Sequence, residues 1–433
     1  MAGQLGVARM STVTAEQGNG GRQGKGSPKF RQALAIAGII AAVVGGAAVF
    51  NSLSASSQGH NQQQGQAGKP VPTGPVCEVA DRASLVPASG QLFGVNLDWH
   101  AKALAQYSFE LGHKPAVTVL SSDFPYDQED KAILQRDIVQ IRAHGHMMLL
   151  TLEPLNGLSG VTPDSAKALA ADLAEFNNDG VPVIVRFGQE MNGTWQPWSQ
   201  QPAQYIAAFR TLADAVHTGA PGSAMMWAPS YGGGYPYPGG QFEAKAGTPE
   251  FTALDTDADG VLTTGDDPYA PYYPGDDAVD WAGMSLYHWG TVYPWGDNEL
   301  PEANKFADQL TGNYVGDSPD DALLPDFYQA YGVAHGKPVA ITETAALFVP
   351  GAGGADELAI KQAWWGQVFG QATAARFPQL KMLTWFEWDR EEPDVTGRVD
   401  WTVTNTPAIR DAFKAALPGW LHYGPAGSCQ PRD

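Results

Sequence analysis

The stretch TPDSAKALAADLAEFNNDGVPVIVRFGQEMNGTWQPW, residues 162–198, holds one repeat of an alternating fold with an acid at its end. Its first half spaces apolar residues at helical intervals and ends on Gly180, the residue type that commonly closes a helix. The run VPVIVRF that follows, residues 181–187, is apolar almost without interruption, as a strand buried on both faces must be. Glu190 comes next, ringed by Gln189, Asn192, Trp195 and Trp198. A carboxylate among amides and tryptophans at a strand end suits a site that holds a sugar and protonates it. One carboxylate is not enough for that chemistry, so a second is sought elsewhere in the chain.

Working outward, the same alternation recurs. Apolar runs stand at 91–97 (QLFGVNL), 116–120 (AVTVL), 146–152 (HMMLLTL), 224–228 (AMMWA), 279–286 (VDWAGMSL), 338–342 (PVAIT) and 380–386 (LKMLTWF). With 181–187 they make eight, and helix-like stretches such as QEDKAILQRDIVQIRAHG and PAQYIAAFRTLADAVHTG lie between them. Eight buried parallel strands alternating with helices predict a (β/α)8 TIM barrel, with a doubly wound open sheet as the alternative.

A barrel of this kind gathers its active site at the C-terminal ends of its strands. The residues found there are Asp98, Trp99 and His100, Asp123, Glu153, Gln189 and Glu190, Tyr287, His288 and Trp289, Glu343, and Glu387, Trp388 and Asp389. Glu190 and Glu343 follow strands four and seven, on opposite sides of the ring, so their carboxylates can face each other across a substrate. A separation of about 5 Å would make such a pair retaining, one acid attacking the anomeric carbon and the other protonating the leaving oxygen.

Composition narrows the partners. The chain of 433 residues is 43% hydrophobic and 10% aromatic, ample for one large core. Its formal net charge of −20 argues against nucleic acid, whose phosphates it would repel. Residues 1–32 are polar and Gly-rich, with Arg9, Arg22, Lys25, Lys29 and Arg31 against Glu16, and read as a cytoplasmic tail or the basic start of a signal. Residues 33–50, ALAIAGIIAAVVGGAAVF, carry no charge and predict a membrane anchor or a cleaved signal, with a buried core helix as the alternative. Residues 51–76 form a Gln, Gly and Pro linker, leaving 77–429 as an exported domain, expected to be a monomer. Cys77 and Cys429 bracket that domain and are expected to pair as a disulfide in an oxidising compartment, unless both stay thiols.

An insertion near 230–278 contains DTDADGVLTTGDD. Asp255, Asp257 and Asp259 occupy positions one, three and five of a calcium loop, Gly260 the turn, Val261 a carbonyl position, Thr263 the ninth place and Asp266 the twelfth. The flanks are too rich in Gly and Pro for a paired EF-hand, so a lone structural Ca2+ is expected, with a solvated acidic turn as the alternative.

RFGQEMNGTWQPW resembles the acid/base segment of glycoside hydrolase family 26. VAITETA resembles that family's nucleophile strand, AGMSLYHW its sixth strand, and LTWFEWDREEPDVTGRVDW its eighth strand with a trailing Asp-Trp. The resemblance covers about residues 92–401 and implies a retaining hydrolase of β-linked polysaccharide, most often β-mannan, with mixed-linkage β-glucan and β-xylan as lesser substrates. It implies Glu190 as general acid/base, Glu343 as nucleophile, Tyr287 bonded to the nucleophile, and Arg186 beneath the pair. Gln189, Asn192, Trp195, Trp198, Trp289 and Trp385 would contact sugar. Where the family usually has His before the acid, this chain has Gln189, which puts the contact with the sugar 2-hydroxyl in question. A polysaccharide-binding protein without catalysis on the same barrel is the reading of another class.

Overall fold

The computed structural model describes residues 78–291, 293–316, 324–395 and 397–424. The apolar stretch 33–50, Cys77 and Cys429 lie outside the described residues. Among the described residues, no helix is long and apolar enough to cross a membrane.

Eight parallel strands run β1 Gln91–Leu97, β2 Val117–Asp123, β3 Met147–Glu153, β4 Val183–Phe187, β5 Ser223–Trp227, β6 Trp281–Ser285, β7 Val339–Thr344 and β8 Leu380–Glu387. Each pairs with the next, and β1 pairs with β8 over Leu92–Leu97 against Met382–Glu387, so the sheet closes on itself. That closure decides for the barrel and against the open sheet. Between the strands lie α1 Leu104–Leu111, α2 Gln128–His144, α3 Pro163–Asn178, α4 Pro202–Gly219, α5 Pro249–Leu254, α6 Lys305–Leu310, a π-helical turn Tyr328–Ala334, α7 Glu357–Val368 and α8 Gln371–Arg376. A hairpin of β9 Asp389–Glu391 and β10 Arg398–Asp400 follows β8, then α9 Pro407–Ala416 and the short β11 Leu421–His422, which adds to β1.

Strand alternation divides the core into two packed sets. Leu92, Val117, Val119, Met147, Leu149, Ile184, Ala224, Met226, Ala340 and Met382 fill the barrel interior. Phe93, Val95, Met148, Leu150, Val183, Val185, Phe187, Ile341 and Leu383 pack with the helices outside. Helix starts follow local chemistry. Asp127 caps α2 through the amides of Glu129 and Asp130, and Thr162 caps α3, whose first residue is the proline that needs no hydrogen bond there.

Candidate active site

The C-terminal ends of β1, β4, β6, β7 and β8 assemble the site. β4 alternates Ile184 and Arg186 on one face, which places Arg186 in the upper barrel interior, 1% exposed. Its Nε donates to Thr151 Oγ1 at 2.9 Å and its Nη2 to Glu343 Oε1 at 2.6 Å. Glu343 lies near the end of β7, where the register with β8 shifts between Ile341 and Thr344, an irregularity of the kind that re-aims side chains beside active sites. Its Oε1 also accepts from Asn96 Nδ2 at 3.2 Å, and its Oε2 from the Tyr287 hydroxyl at 2.8 Å. Burial and the Glu343 charge push the Tyr287 phenol well above its ordinary range, so it stays a donor.

Glu190 reaches the same place by a strained route. Its φ of 57° is left-handed, uncommon for a residue with a side chain, and follows Gly188 at 51°. The conformation is held from outside, since Glu190 N donates to Ala228 O at 2.9 Å and Gly193 N to Glu190 O at 2.9 Å. Trp195 Nε1 donates to Glu190 Oε2 at 3.1 Å. A side chain at Gly193 would meet the Trp195 ring at 2.5 Å, so only glycine permits that approach. Burial first, and the Glu343 charge second, raise the Glu190 carboxyl to about 6.

Glu190 and Glu343 line one small cavity of about 110 Å³ with Tyr287, Trp289, Phe386, Arg390, Glu392 and Trp401. Trp289 stands edge-on to Trp401, ring centres 4.8 Å apart, and Tyr287 lies 5.3 Å from Trp401. Arg390 is clamped by both oxygens of Glu392, at 2.8 and 3.1 Å, and its guanidinium lies over Phe386 at 5.3 Å. Glu392 also accepts from the Trp401 indole at 2.8 Å. Asn96, Arg390 and Glu392 escape sequence reasoning. Asn96 sits inside a strand rather than beyond its end, and the Arg390–Glu392 clamp belongs to a hairpin that no apolar run announces.

Three of the expected sugar contacts, Trp198, Trp385 and Asn192, are buried in the structure. Trp198 is completely buried and donates its Nε1 to Gln189 O at 2.8 Å, so it braces the loop under Glu190 and offers no free face. Trp385 is also completely buried; it packs on Phe369 and Phe413 in the helix layer and donates to Trp401 O. Asn192 is buried too, exchanging both amide hydrogen bonds with the Ser230 backbone at 2.9 and 2.8 Å. Gln189 turns its Nε2 to Glu153 Oε1 at 2.7 Å. Trp195, by contrast, is 40% exposed and stands edge-on to Tyr237 of the insertion. Glu387, though at a strand end, is buried and spent on the amides of Val403 and Thr404.

The insertion is tied to the loop carrying Trp195. Thr194 Oγ1 donates to Tyr237 O, Phe242 N to Thr194 O, and Ala244 N to Gln200 Oε1. In its acidic loop, carboxylate oxygens of Asp255, Asp257 and Asp259 lie within 4.8 Å of one another. Asp266, expected as the closing ligand, is instead buried and accepts from the amides of Thr256 and Thr263. Thr263 Oγ1 accepts from Gly265 N, and Val261 is exposed. A carboxylate one carbon shorter than Glu is drawn into the turn's own amides.

No family model matches the chain. Among curated proteins it is similar to Endoglucanase H of Acetivibrio thermocellus, 21% identical over 286 residues, covering 63% of this chain. The chain spans about a quarter of that relative, 24% of its length. Among solved structures, an engineered protein shares the fold at a TM-score of 0.50 and 16% identity, with 82% of this chain and 76% of that one covered. An endo-β-1,4-mannanase double mutant of Cellulomonas fimi aligns at a TM-score of 0.48 and 16% identity, over 80% of this chain and 78% of that one.

Proposed function

We propose that this barrel is a retaining glycoside hydrolase of β-linked polysaccharide, with β-1,4-mannan as the foremost substrate and mixed-linkage β-glucan as the second. One observation carries the reading: two carboxylates share a cavity in opposite surroundings. Glu343 accepts from three donors, Arg186, Asn96 and Tyr287. Glu190 is half-buried and its carboxyl is held up to about 6, the setting of an acid that keeps its proton. In this reading Glu343 attacks the anomeric carbon while Glu190 passes its proton to the leaving oxygen. Glu190 then takes a proton from the water that releases the sugar. The motif resemblance supports the substrate class, and so does the name of the similar endoglucanase.

The raised Glu190 carboxyl sets a pH dependence. Glycosylation needs Glu190 protonated, and that form disappears as pH rises through about 6. The pH profile of kcat/KM is therefore expected to fall on its alkaline side with an apparent pKa near 6, and Glu190→Gln should abolish that limb. An unchanged limb in the variant would assign it to another group. A substrate panel of mannan, lichenan and carboxymethylcellulose with product sizing tests the polysaccharide class; failure to cut any, with binding intact, would favour a binding protein.

For the insertion we propose a structural Ca2+ on Asp255, Asp257 and Asp259, hard oxygen ligands suited to a hard cation. EDTA is expected to lower the melting temperature by a few degrees and added calcium to restore it, the linkage expected of a ligand that binds only the folded state. Asp257→Ala should remove the response. A melting temperature indifferent to both treatments would leave the loop as a solvated acidic turn.

A further inference from the structure

At the opposite end of the barrel from Glu190 lies a larger cavity of about 360 Å³, between the first residues of β1 and β8 and the helix α8. Its size falls in the range of small-ligand pockets, roughly 300–1,000 Å³. Gln91, the first residue of β1, lines it and is 3% exposed, yet its Oε1 has no hydrogen-bond partner among the described residues. Trp420 lines it too, and its buried indole Nε1 likewise has no partner among the described residues. A buried acceptor and a buried donor left unmatched on two residues that line one cavity cost free energy unless something satisfies them.

The wall is rigid. β11 pairs with β1 at Gln91–Leu421, which locks the chain beside Trp420. Gly90 has a φ of +68°, and a side chain there would meet Trp420 O at 2.3 Å, so the backbone is built for this contact. Ala374, Phe377 and Leu380 add apolar surface, Lys381 adds donors, and no carboxylate lines the space. A metal cation finds no anionic ligand there. A hydroxyl, in contrast, accepts from an indole N–H and donates to an amide oxygen with the same atom. A pyranose carries several hydroxyls and an apolar C–H face that suits Trp and Phe rings.

We infer that the cavity formed by Gln91, Trp420, Phe377 and Lys381 is a second saccharide site, taking one pyranose unit of a polysaccharide on the face remote from Glu190 and Glu343. The site is independent of catalysis. It gives the protein a second hold on a polymer chain, which raises the local concentration of that chain at the cleft.

The test uses the full chain carrying Glu343→Ala, labelled at the tryptophan indole nitrogen, and titrated with mannohexaose, cellohexaose and xylohexaose. At least one saccharide should move the Trp420 Nε1–H resonance saturably, with a dissociation constant in the millimolar range typical of weak single contacts. Gln91→Leu should weaken that response at least tenfold. An intermolecular NOE from sugar protons to the Trp420 indole needs no variant, and it supports the site even if Gln91→Leu fails to fold. A Trp420 resonance unmoved by all three saccharides, with no NOE, overturns the inference and leaves a water-filled cavity. Movement at Trp195 or Trp289 alone overturns it as well, while keeping sugar binding at the cleft. Because no turnover is read, loss of the hydrolase reading leaves this result standing on its own.

Discussion

Glu343→Ala is expected to lose turnover by a factor on the order of 10⁵ or more on every substrate, including aryl glycosides with good leaving groups. The reason lies in the three donors that converge on the Glu343 oxygens. In the proposed mechanism they hold that carboxylate in place as the nucleophile. Glu190→Ala should behave differently. On polysaccharide it should lose about 10²- to 10⁴-fold, the usual worth of general acid–base help. On a dinitrophenyl glycoside, whose leaving oxygen needs no proton, bond cleavage should stay close to the parent rate. Azide should then accelerate turnover of Glu190→Ala by replacing water, and give a glycosyl azide with the substrate's own anomeric configuration. Equal losses for the two variants on both kinds of substrate would sink the assignment of roles, and an inverted azide would sink the retaining mechanism.

Trp385→Ala is expected to cost about 3–5 kcal/mol of stability, the range found when a large aromatic is removed from a core. The indole is completely buried between Phe369 and Phe413 and ties down Trp401 O, the backbone of a cavity-lining residue. Denaturant unfolding reads the loss directly. The KM of the surviving folded protein should change little, because Trp385 has no face open to sugar. Trp195→Ala is the contrast: its ring is 40% exposed and its N–H lies on Glu190, so that change should weaken substrate binding while leaving the unfolding midpoint nearly unchanged. If Trp385→Ala kept full stability and raised KM instead, the buried placement of that indole would be wrong.

The difference between these two tryptophans shows where sequence reading reached its limit. Both are expected to contact sugar, Trp385 from within β8 and Trp195 from the loop that follows β4. The face of a strand on which a side chain emerges depends on register, and β8 acquires its register from β1 and β7 rather than from its own residues. Trp385 consequently points to the helices with Leu383, while Arg186, two residues beyond Ile184, points into the barrel. Asp266 shows the same limit in a loop. Its spacing matched a metal ligand, but its carboxylate is taken up by the amides of Thr256 and Thr263, which only the folded turn brings to it.

The sequence by itself determined the eight strands and the identity of the two facing acids. A parallel barrel strand is buried on both faces, so it must be written as an unbroken apolar run, and an acid at or just past the end of such a run is carried to that end of the barrel. Tertiary structure alone decided how those acids are dressed. Asn96 from β1, Tyr287 beyond β6 and Arg186 from β4 reach Glu343 across sequence distances of 247, 56 and 157 residues. Glu190 has its left-handed backbone tied to Ala228, beyond the next strand, which accepts its amide hydrogen. Contacts of that kind leave no local periodicity, because each partner satisfies its own strand's pattern and the bond exists only once the ring has closed.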